Sequence, residues 1–580
     1  MKAAGGVYQV DLIALMTGLT FDLESQGFGD LAGLGCQNQV RSAVFHMQLS
    51  RIIVPGETSS RLLVSGNEAV ALAALHAGVA LGTGYPGTPS TEILEHFGRL
   101  GGKAQWSPNE KVALEVGIGA AFAQTRTLVT MKHVGVNVAA DPLFIAAYSG
   151  VDGGLVVVSA DDPGMFSSQN EQDNRRYALH AGVPMFEPAD SQEAYDLTRT
   201  AFELSEQFQL PVMLRLTTRV CHSKGIVVPA APRDFRADTP HRCPQFRRAI
   251  PERVMIPAHA RPAHRRLRKK LADVKQWNEV FPGNIASGGE GDFGIITSGV
   301  SYLHVREAAP SAPVLKLSCT YPLPIERIRA FVSRCSRCLV VEEGDPFLYE
   351  AFRAEGIGVE GKTEQYRFGE LNVQRVRAII AGEPAAEPAP AKGKPPELCQ
   401  GCPHRKTFDV LRDINCIVSG DIGCYTLGAL EPFSAMDIQL CMGASIGVGA
   451  GLRHVLPEAE ARRVVSVIGD STFLHSGLTG LAEIIYNRPD TGHVLLILDN
   501  STTAMTGLQD HAGTGRTLAG KKAKKIVLEQ VAAAMGADSV DVVDPVSQPE
   551  KLRALLLAAM SKNEISVIIV RRACLLALRK

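Results

Sequence analysis

Three tracts of this chain alternate short, almost wholly apolar runs with helical stretches, and no other feature narrows the fold as far. In the first tract the runs are Leu128 to Met131, Gly154 to Ser159 and Pro211 to Leu216. In the second they are Phe293 to Gly299, Val314 to Leu317 and Cys338 to Glu343. In the third they are Val464 to Ile468, Val494 to Leu498 and Ile565 to Val570. Apolar runs this short, bounded by turn signals, suit strands buried on both faces, as in a parallel sheet. Helical stretches fall between them, among them Lys111 to Ala123, Asp141 to Tyr148 and Gly477 to Tyr486. The repeated alternation predicts an α/β protein with several parallel-sheet domains.

The joints between tracts are compositional. Residues 1–58 carry apolar patches without a sustained period and read as an N-terminal extension of unknown role, with Met47 as an alternative start. Residues 59–230 hold the first tract, whose first helix is expected to be capped by Ser65 or Asn67. Residues 231–290 form a linker rich in Pro, Arg and His, most basic from Arg265 to Lys270, where a solvated helix or crossing segment is expected. The second tract occupies 291–382. A Pro/Ala/Lys tract over 383–396 cannot pack a core and reads as a tether. The third tract fills 397–580.

The chain of 580 residues is too long for one core. Its 60 basic and 60 acidic residues cancel, which argues against a nucleic-acid binder. Its 12 cysteines follow no signal peptide, so reduced thiols in a cytoplasmic enzyme, some of them metal ligands, are expected rather than disulfides. No apolar run approaches the ~20 residues that cross a bilayer.

The richest chemistry lies in the third tract. Val464 to Ile468 ends at Gly469-Asp470-Ser471, and Val494 to Leu498 ends at Asp499-Asn500-Ser501-Thr502. Both groups therefore sit at the carboxyl ends of strands, where open α/β sheets bind ligands. Gly469 permits a close backbone approach to a phosphate, and Asp470 and Asn500 supply the hard oxygens that Mg²⁺ prefers. The thirty-residue spacing from Asp470 to Asn500 resembles the thiamine-diphosphate motif, with Ser471 in place of its usual last glycine. Gly443, in the small-residue stretch Met442 to Gly447, would let a helix N-terminus reach the diphosphate.

Thiamine enzymes also need a glutamate against the aminopyrimidine, ahead of a helix of small residues. Glu110 precedes Gly117 to Ala121 and is preferred; Glu115, about one turn further on, is the rival. Tyr85-Pro86-Gly87-Thr88 is a rigid turn that can present Thr88 and backbone N–H groups to a carboxylate. Cys399-Gln400-Gly401-Cys402 and Cys424, in Gly420-Asp421-Ile422-Gly423-Cys424, look like thiolate ligands, for which an iron–sulfur cluster or zinc are the candidates. Cys335 and Cys338 form another Cys-x-x-Cys that runs into an apolar strand and read as core or incidental cysteines, and Cys416 and Cys441 read as core.

Longer words carry a resemblance: Tyr85 to Glu92, Met131 to Gly135, Asn137 to Pro142, Thr320 to Pro324, Val341 to Pro346, Cys399 to Arg405, Gly420 to Thr426 and Asp499 to Gly507. In order, over residues 62–578, they resemble the 2-oxoacid:ferredoxin oxidoreductases, most closely their indolepyruvate-type α subunits. The resemblance implies two thiamine-diphosphate-binding-fold domains, one for the pyrimidine at 59–230 and one for the diphosphate at 397–580. A transketolase C-terminal-like domain would lie between them at 291–382. It implies Thr88 near the substrate carboxylate and Glu110 near the aminopyrimidine. Gly423, Gly443, Gly469 and Ser471 would line the cofactor, and Asp470, the Asn500 side chain and the Thr502 carbonyl would hold Mg²⁺. It implies a [4Fe–4S] cluster on Cys399, Cys402, Cys424 and Cys574. The reaction implied is oxidative decarboxylation of an aryl 2-oxoacid, such as indole-3-pyruvate, with coenzyme A, giving acyl-CoA and CO₂. Relatives add a C-terminal ferredoxin-like domain that this sequence, ending at Lys580, does not include. Electrons are therefore expected to leave through a separate ferredoxin or another acceptor, and a smaller β subunit is expected as partner. A non-oxidative thiamine-dependent 2-oxoacid decarboxylase and a non-catalytic subunit are the alternatives.

Overall fold

Each apolar run is a strand in the computed structural model, which describes residues 51–52, 61–230, 244–288, 291–384 and 397–579. The expectations for Met47, for nearly all of the extension and for all but the first two residues of the tether lie outside the described residues.

Seven strands form the first sheet, in the spatial order Cys319–Tyr321, Met185–Phe186, Val212–Thr217, Leu155–Asp161, Thr127–Lys132, Leu81–Gly84 and Ala104–Trp106. All neighbours are parallel except Cys319–Tyr321, which pairs antiparallel with Met185–Phe186. That outer strand belongs by sequence to the second tract, so the second tract adds a strand to the first sheet. The second sheet runs Ile285–Ser287, Val314–Leu317, Phe293–Ser298 and Arg337–Val341, with only its first strand antiparallel. The third is fully parallel: Ile417–Ser419, Val464–Gly469, His493–Asp499, Ile565–Arg571 and Ser539–Val543.

The third sheet shows why its strands read as unbroken apolar runs. Val465, Val467, Leu496 and Leu498 pack on one face against Phe408, Leu411, Leu552 and Leu556. Ile468, Leu495 and Ile497 pack on the other, against Ile446, Leu481, Ile484 and Leu528. With helices on both faces, no alternate position meets water. Ser65 caps the first helix, Gly66–His76, in a reciprocal box with Glu68. Asn67 instead donates to the Pro89 carbonyl at 2.7 Å and to Glu92 at 2.9 Å, which ties that helix to the turn carrying Thr88.

Within the linker, Pro257–Glu279 is a single helix. Ala263, Leu267, Leu271 and Val274 face inward at helical spacing, and Arg265, Arg266, Arg268 and Lys269 are exposed. A buried ion pair joins the first and second units, Arg175 to Glu342 at 2.6 Å, and within the first unit Arg215 pairs with Glu187 at 2.6 Å. No helix among the described residues is long and apolar enough to cross a membrane.

Candidate active site

The first and third units meet along one seam, and most of the singled-out residues lie on it. Val464–Gly469 and His493–Asp499 are neighbours, with Gly469 opposite Leu498. Asp470 and Asn500 therefore emerge side by side, both buried. Asp470 accepts from Ser471 N–H on Oδ1 and from Ser501 N–H on Oδ2, each at 2.9 Å. Burial pushes its carboxyl above the usual range, and the His511 imidazole opposes that rise. His511 Nε2 stands 3.3 Å from Asp470 Oδ2 but outside hydrogen-bonding geometry, so a buried donor is left without a partner. Asn500 Oδ1 accepts from Thr502 N–H at 3.2 Å, which fixes the loop between them.

A cleft of about 530 Å³ opens over these residues, lined by Tyr85, Gly423, Cys424, Gly469, Asp470, Ser471, Asn500 and Thr502, among others. Its floor has no room for larger side chains. A Cβ at Gly469 would come within 2.8 Å of the Tyr425 ring, and one at Gly423 within 2.4 Å. Gly443 has φ +88° and its Cβ position lies 2.4 Å from Ser476 Cβ. It leads into helix Ala444–Val455, whose first N–H groups are held by the buried carboxylate of Asp421: Gly443 N–H at 2.9 Å and Ser445 N–H at 3.1 Å. Asp421 stands in the word Gly420 to Thr426, and only the fold brings its carboxylate to the helix start more than twenty residues later.

Glu110 heads helix Glu110–Phe122, with Asn109 as its cap. It is buried across the seam, and its Oε2 lies 2.8 Å from His475 Nε2. Glu115 is exposed and pairs with Lys111. Tyr85 completes the seam with a 2.9 Å hydrogen bond to Ser471, whose hydroxyl also meets Thr503 at 2.9 Å. Burial holds the Tyr85 phenol well above its ordinary range. Thr88 is half-buried in the turn ahead of helix Thr91–Arg99; it does not wall the cleft. Thr503 stands in the word Asp499 to Gly507 without a role of its own, and His475 stands in none of the quoted words. A histidine inside the apolar segment that follows Asp470 is the trace that His475 leaves in the sequence.

Cys399, Cys402, Cys424 and Cys574 line one cavity of about 1240 Å³. Arg405 donates to the Cys399 carbonyl at 3.0 Å and to the Leu398 carbonyl at 2.6 Å, shaping the loop before helix Pro403–Asp413. Cys574 N–H donates to the Asn500 carbonyl at 3.0 Å, so the end of the chain is tied to the loop after strand His493–Asp499. Burial pushes the Cys424 thiol up to about 11, with the nearby Cys402, Cys574 and Cys399 adding to the rise. Among the described residues no three His, Cys, Asp or Glu converge tightly enough for a single metal ion. The cavity shares Cys424, Asn500 and Ala504 with the Asp470 cleft. Cys338 is buried, Cys335 half-buried, and Cys416 packs on the third unit's core. Cys441, expected in a core, is exposed, because it sits in the turn that reverses at Gly443.

Both sides of the seam match known families. Residues 72–260 match the family described as pyruvate flavodoxin/ferredoxin oxidoreductase, thiamine diP-bdg. Residues 421–570 match the thiamine pyrophosphate enzyme, C-terminal TPP binding domain. Indolepyruvate oxidoreductase subunit IorA of Archaeoglobus fulgidus is 41% identical over 90% of this chain and 88% of its own length. The protein of the same name from Methanothermobacter thermautotrophicus is 39% identical over 92% and 89%. The structure of 2-oxoglutarate:ferredoxin oxidoreductase from Magnetococcus marinus aligns with a TM-score of 0.48 at 20% identity, over 57% of this chain and 66% of that one.

Proposed function

Because the chain belongs to the family of indolepyruvate oxidoreductase IorA subunits, and is thereby a thiamine-diphosphate-dependent 2-oxoacid oxidoreductase, we propose that it oxidatively decarboxylates aryl 2-oxoacids such as indole-3-pyruvate. The products would be the acyl-CoA and CO₂, with ferredoxin as the acceptor of the two electrons released and a [4Fe–4S] cluster supplying the one-electron chemistry. One observation carries the redox part of this reading. The four-thiol cavity and the Asp470 cleft share the wall formed by Cys424, Asn500 and Ala504, so an electron leaving one has a short path to the other.

Asp470, the Asn500 amide and the Thr502 carbonyl are the oxygens that would hold Mg²⁺ on the diphosphate. Gly423, Gly443, Gly469 and Ser471 give the diphosphate its close approach. When bound, thiamine diphosphate supplies the nucleophilic carbon and electron sink that let a 2-oxoacid lose CO₂. Glu110 would exchange a proton with the ring nitrogen of the aminopyrimidine, and its burial across the seam supports that role. The seam of Tyr85, His475 and Ser471 keeps water from that carboxylate. Thr88, in the turn that follows Tyr85 and Pro86 of the cleft wall, would meet the substrate carboxylate, a role that rests on the family resemblance. Cys399, Cys402, Cys424 and Cys574 would hold the cluster, which would supply one-electron redox chemistry there. The names of the relatives, each a subunit, support a smaller partner subunit that completes the enzyme.

The test is anaerobic co-expression with the candidate small subunit, followed by iron and thiamine analysis and a viologen-dye assay. Dye reduction that requires both indole-3-pyruvate and coenzyme A is expected. Protein without iron, or CO₂ release without dye reduction, would reject the redox reading.

A further inference from the structure

Resting on the assignment of Glu110 to the aminopyrimidine, we propose that His475 is a positioning residue that fixes which oxygen of Glu110 meets the cofactor. Two independent contacts lock the histidine to residues 109 and 110. Asn109 uses both ends of its amide: Oδ1 accepts from Val112 N–H at 2.9 Å, and Nδ2 donates to the His475 carbonyl at 2.9 Å. The imidazole of the same histidine then turns back, with Nε2 2.8 Å from Glu110 Oε2. The two side chains are 1% and 6% exposed, so water does not compete for the bond.

The local backbone explains the aim. Phe473–Gly477 is a π-helical turn between Asp470–Thr472 and Leu478–Tyr486. Such a turn holds one residue more than an α-helical one and commonly marks functional segments. The ring edge of Tyr85 packs on the imidazole at 4.7 Å. Ser476 Oγ lies 2.6 Å from His475 Nδ1. With that hydroxyl donating to Nδ1, the neutral ring carries its proton on Nε2 and donates it to Glu110. Oε2 is thereby occupied. Oε1 faces Gly135, whose hydrogen takes the place where a Cβ would come within 2.7 Å. The carboxylate has one orientation and one oxygen left to offer.

A purely structural bridge between the two units would look similar, so the test reads the cofactor itself. The complete chain is loaded with thiamine diphosphate and Mg²⁺, and hydrogen–deuterium exchange at the thiazolium C2 is measured by quenched-flow NMR. His475→Leu removes the donor at similar size, and slowing of about 10- to 100-fold is expected. His475→Gln carries an N–H to nearly the same place and is expected to exchange within about threefold of wild type. Melting temperatures and cofactor affinity should stay close to wild type in both. Equal exchange in wild type and His475→Leu overturns the proposal, as does slowing in His475→Gln to the level of the leucine variant. Should His475→Leu not fold, His475→Asn, too short to reach Glu110, replaces it with the same expectation. Glu110→Gln separates the two layers of the argument. If it exchanges at the wild-type rate, the assignment of Glu110 fails and takes this proposal with it. If it is slow while His475→Leu is not, only the role of His475 fails.

Discussion

Replacing Gly135 by alanine puts a single methyl group against the carboxylate on which the proposed chemistry turns. Gly135 lies in helix His133–Val138, and its added Cβ would stand 2.6 Å from Glu110 Cγ, 2.7 Å from Oε1 and 2.9 Å from Cδ. Ordinary carbon contacts lie at about 3.5–4.0 Å, so the shortfall is about 1 Å. Backbone does not obstruct the methyl group; a side chain does, and it can swing aside. The stability cost is therefore small: overpacking costs about 1–3 kcal/mol, and exchanging glycine for alanine within a helix returns about 1 kcal/mol. The activity cost is large. Glu110 cannot move by 1 Å and keep its 2.8 Å bond to His475, and misplacement of a catalytic group on that scale costs on the order of 100-fold in rate. The expected outcome is a variant that melts within a few degrees of wild type but reduces viologen dye about 100-fold more slowly. Turnover within about threefold of wild type would refute the steric reasoning. Loss of folding along with activity would refute its claim that Glu110, rather than the backbone, gives way.

Other expectations follow from the same geometry. Gly443→Ala forces an L-residue to φ +88° with its Cβ 2.4 Å from Ser476 Cβ, and should cost about 2–5 kcal/mol in urea unfolding and weaken cofactor binding; a neutral result would show that the turn relaxes freely. Cys424→Ser removes the thiol that both cavities share, so iron content and visible absorbance of anaerobically prepared protein should fall sharply, whereas Cys441→Ser, at an exposed position outside the four-thiol cavity, should leave both unchanged. His493 is buried, and burial, with Arg453 and His454 adding to it, lowers its imidazole to about 3. The unfolded chain takes up that proton near pH 6.5 while the folded protein refuses it, so stability falls as pH drops through the window from about 6.5 to about 3. By pH 5 the loss is about 2 kcal/mol, and His493→Gln should abolish that part of the slope; equal acid sensitivity in both proteins would count against it.

The strands of the third sheet were legible because they are covered on both faces. Every residue of Val464 to Ile468 must be apolar or satisfied, and that demand is written residue by residue. The short outer strand Cys319–Tyr321 was not legible as part of the first sheet, because its membership depends on a partner strand more than 130 residues earlier, Met185–Phe186. Helix Pro257–Glu279 was half-hidden by its charge, since only a narrow stripe from Ala263 to Val274 reaches the interior.

The site divides along the same line. Local chemistry named Gly469, Asp470 and Asn500, because a strand, a turn and a hard oxygen are adjacent in sequence. Glu110 and Glu115 are the same residue type five positions apart, about 140° around one helix. Only packing against the third unit decides that the first is enclosed and the second meets solvent. The pairing of Glu110 with His475, 365 residues away, and the single cavity that collects Cys399, Cys402, Cys424 and Cys574 are likewise tertiary facts. Sequence by itself determined which strands this protein makes and which residues can do chemistry, since burial pattern and functional groups are local properties. Tertiary structure alone decided which of those groups share a volume, because that depends on how separately folded sheets close on one another.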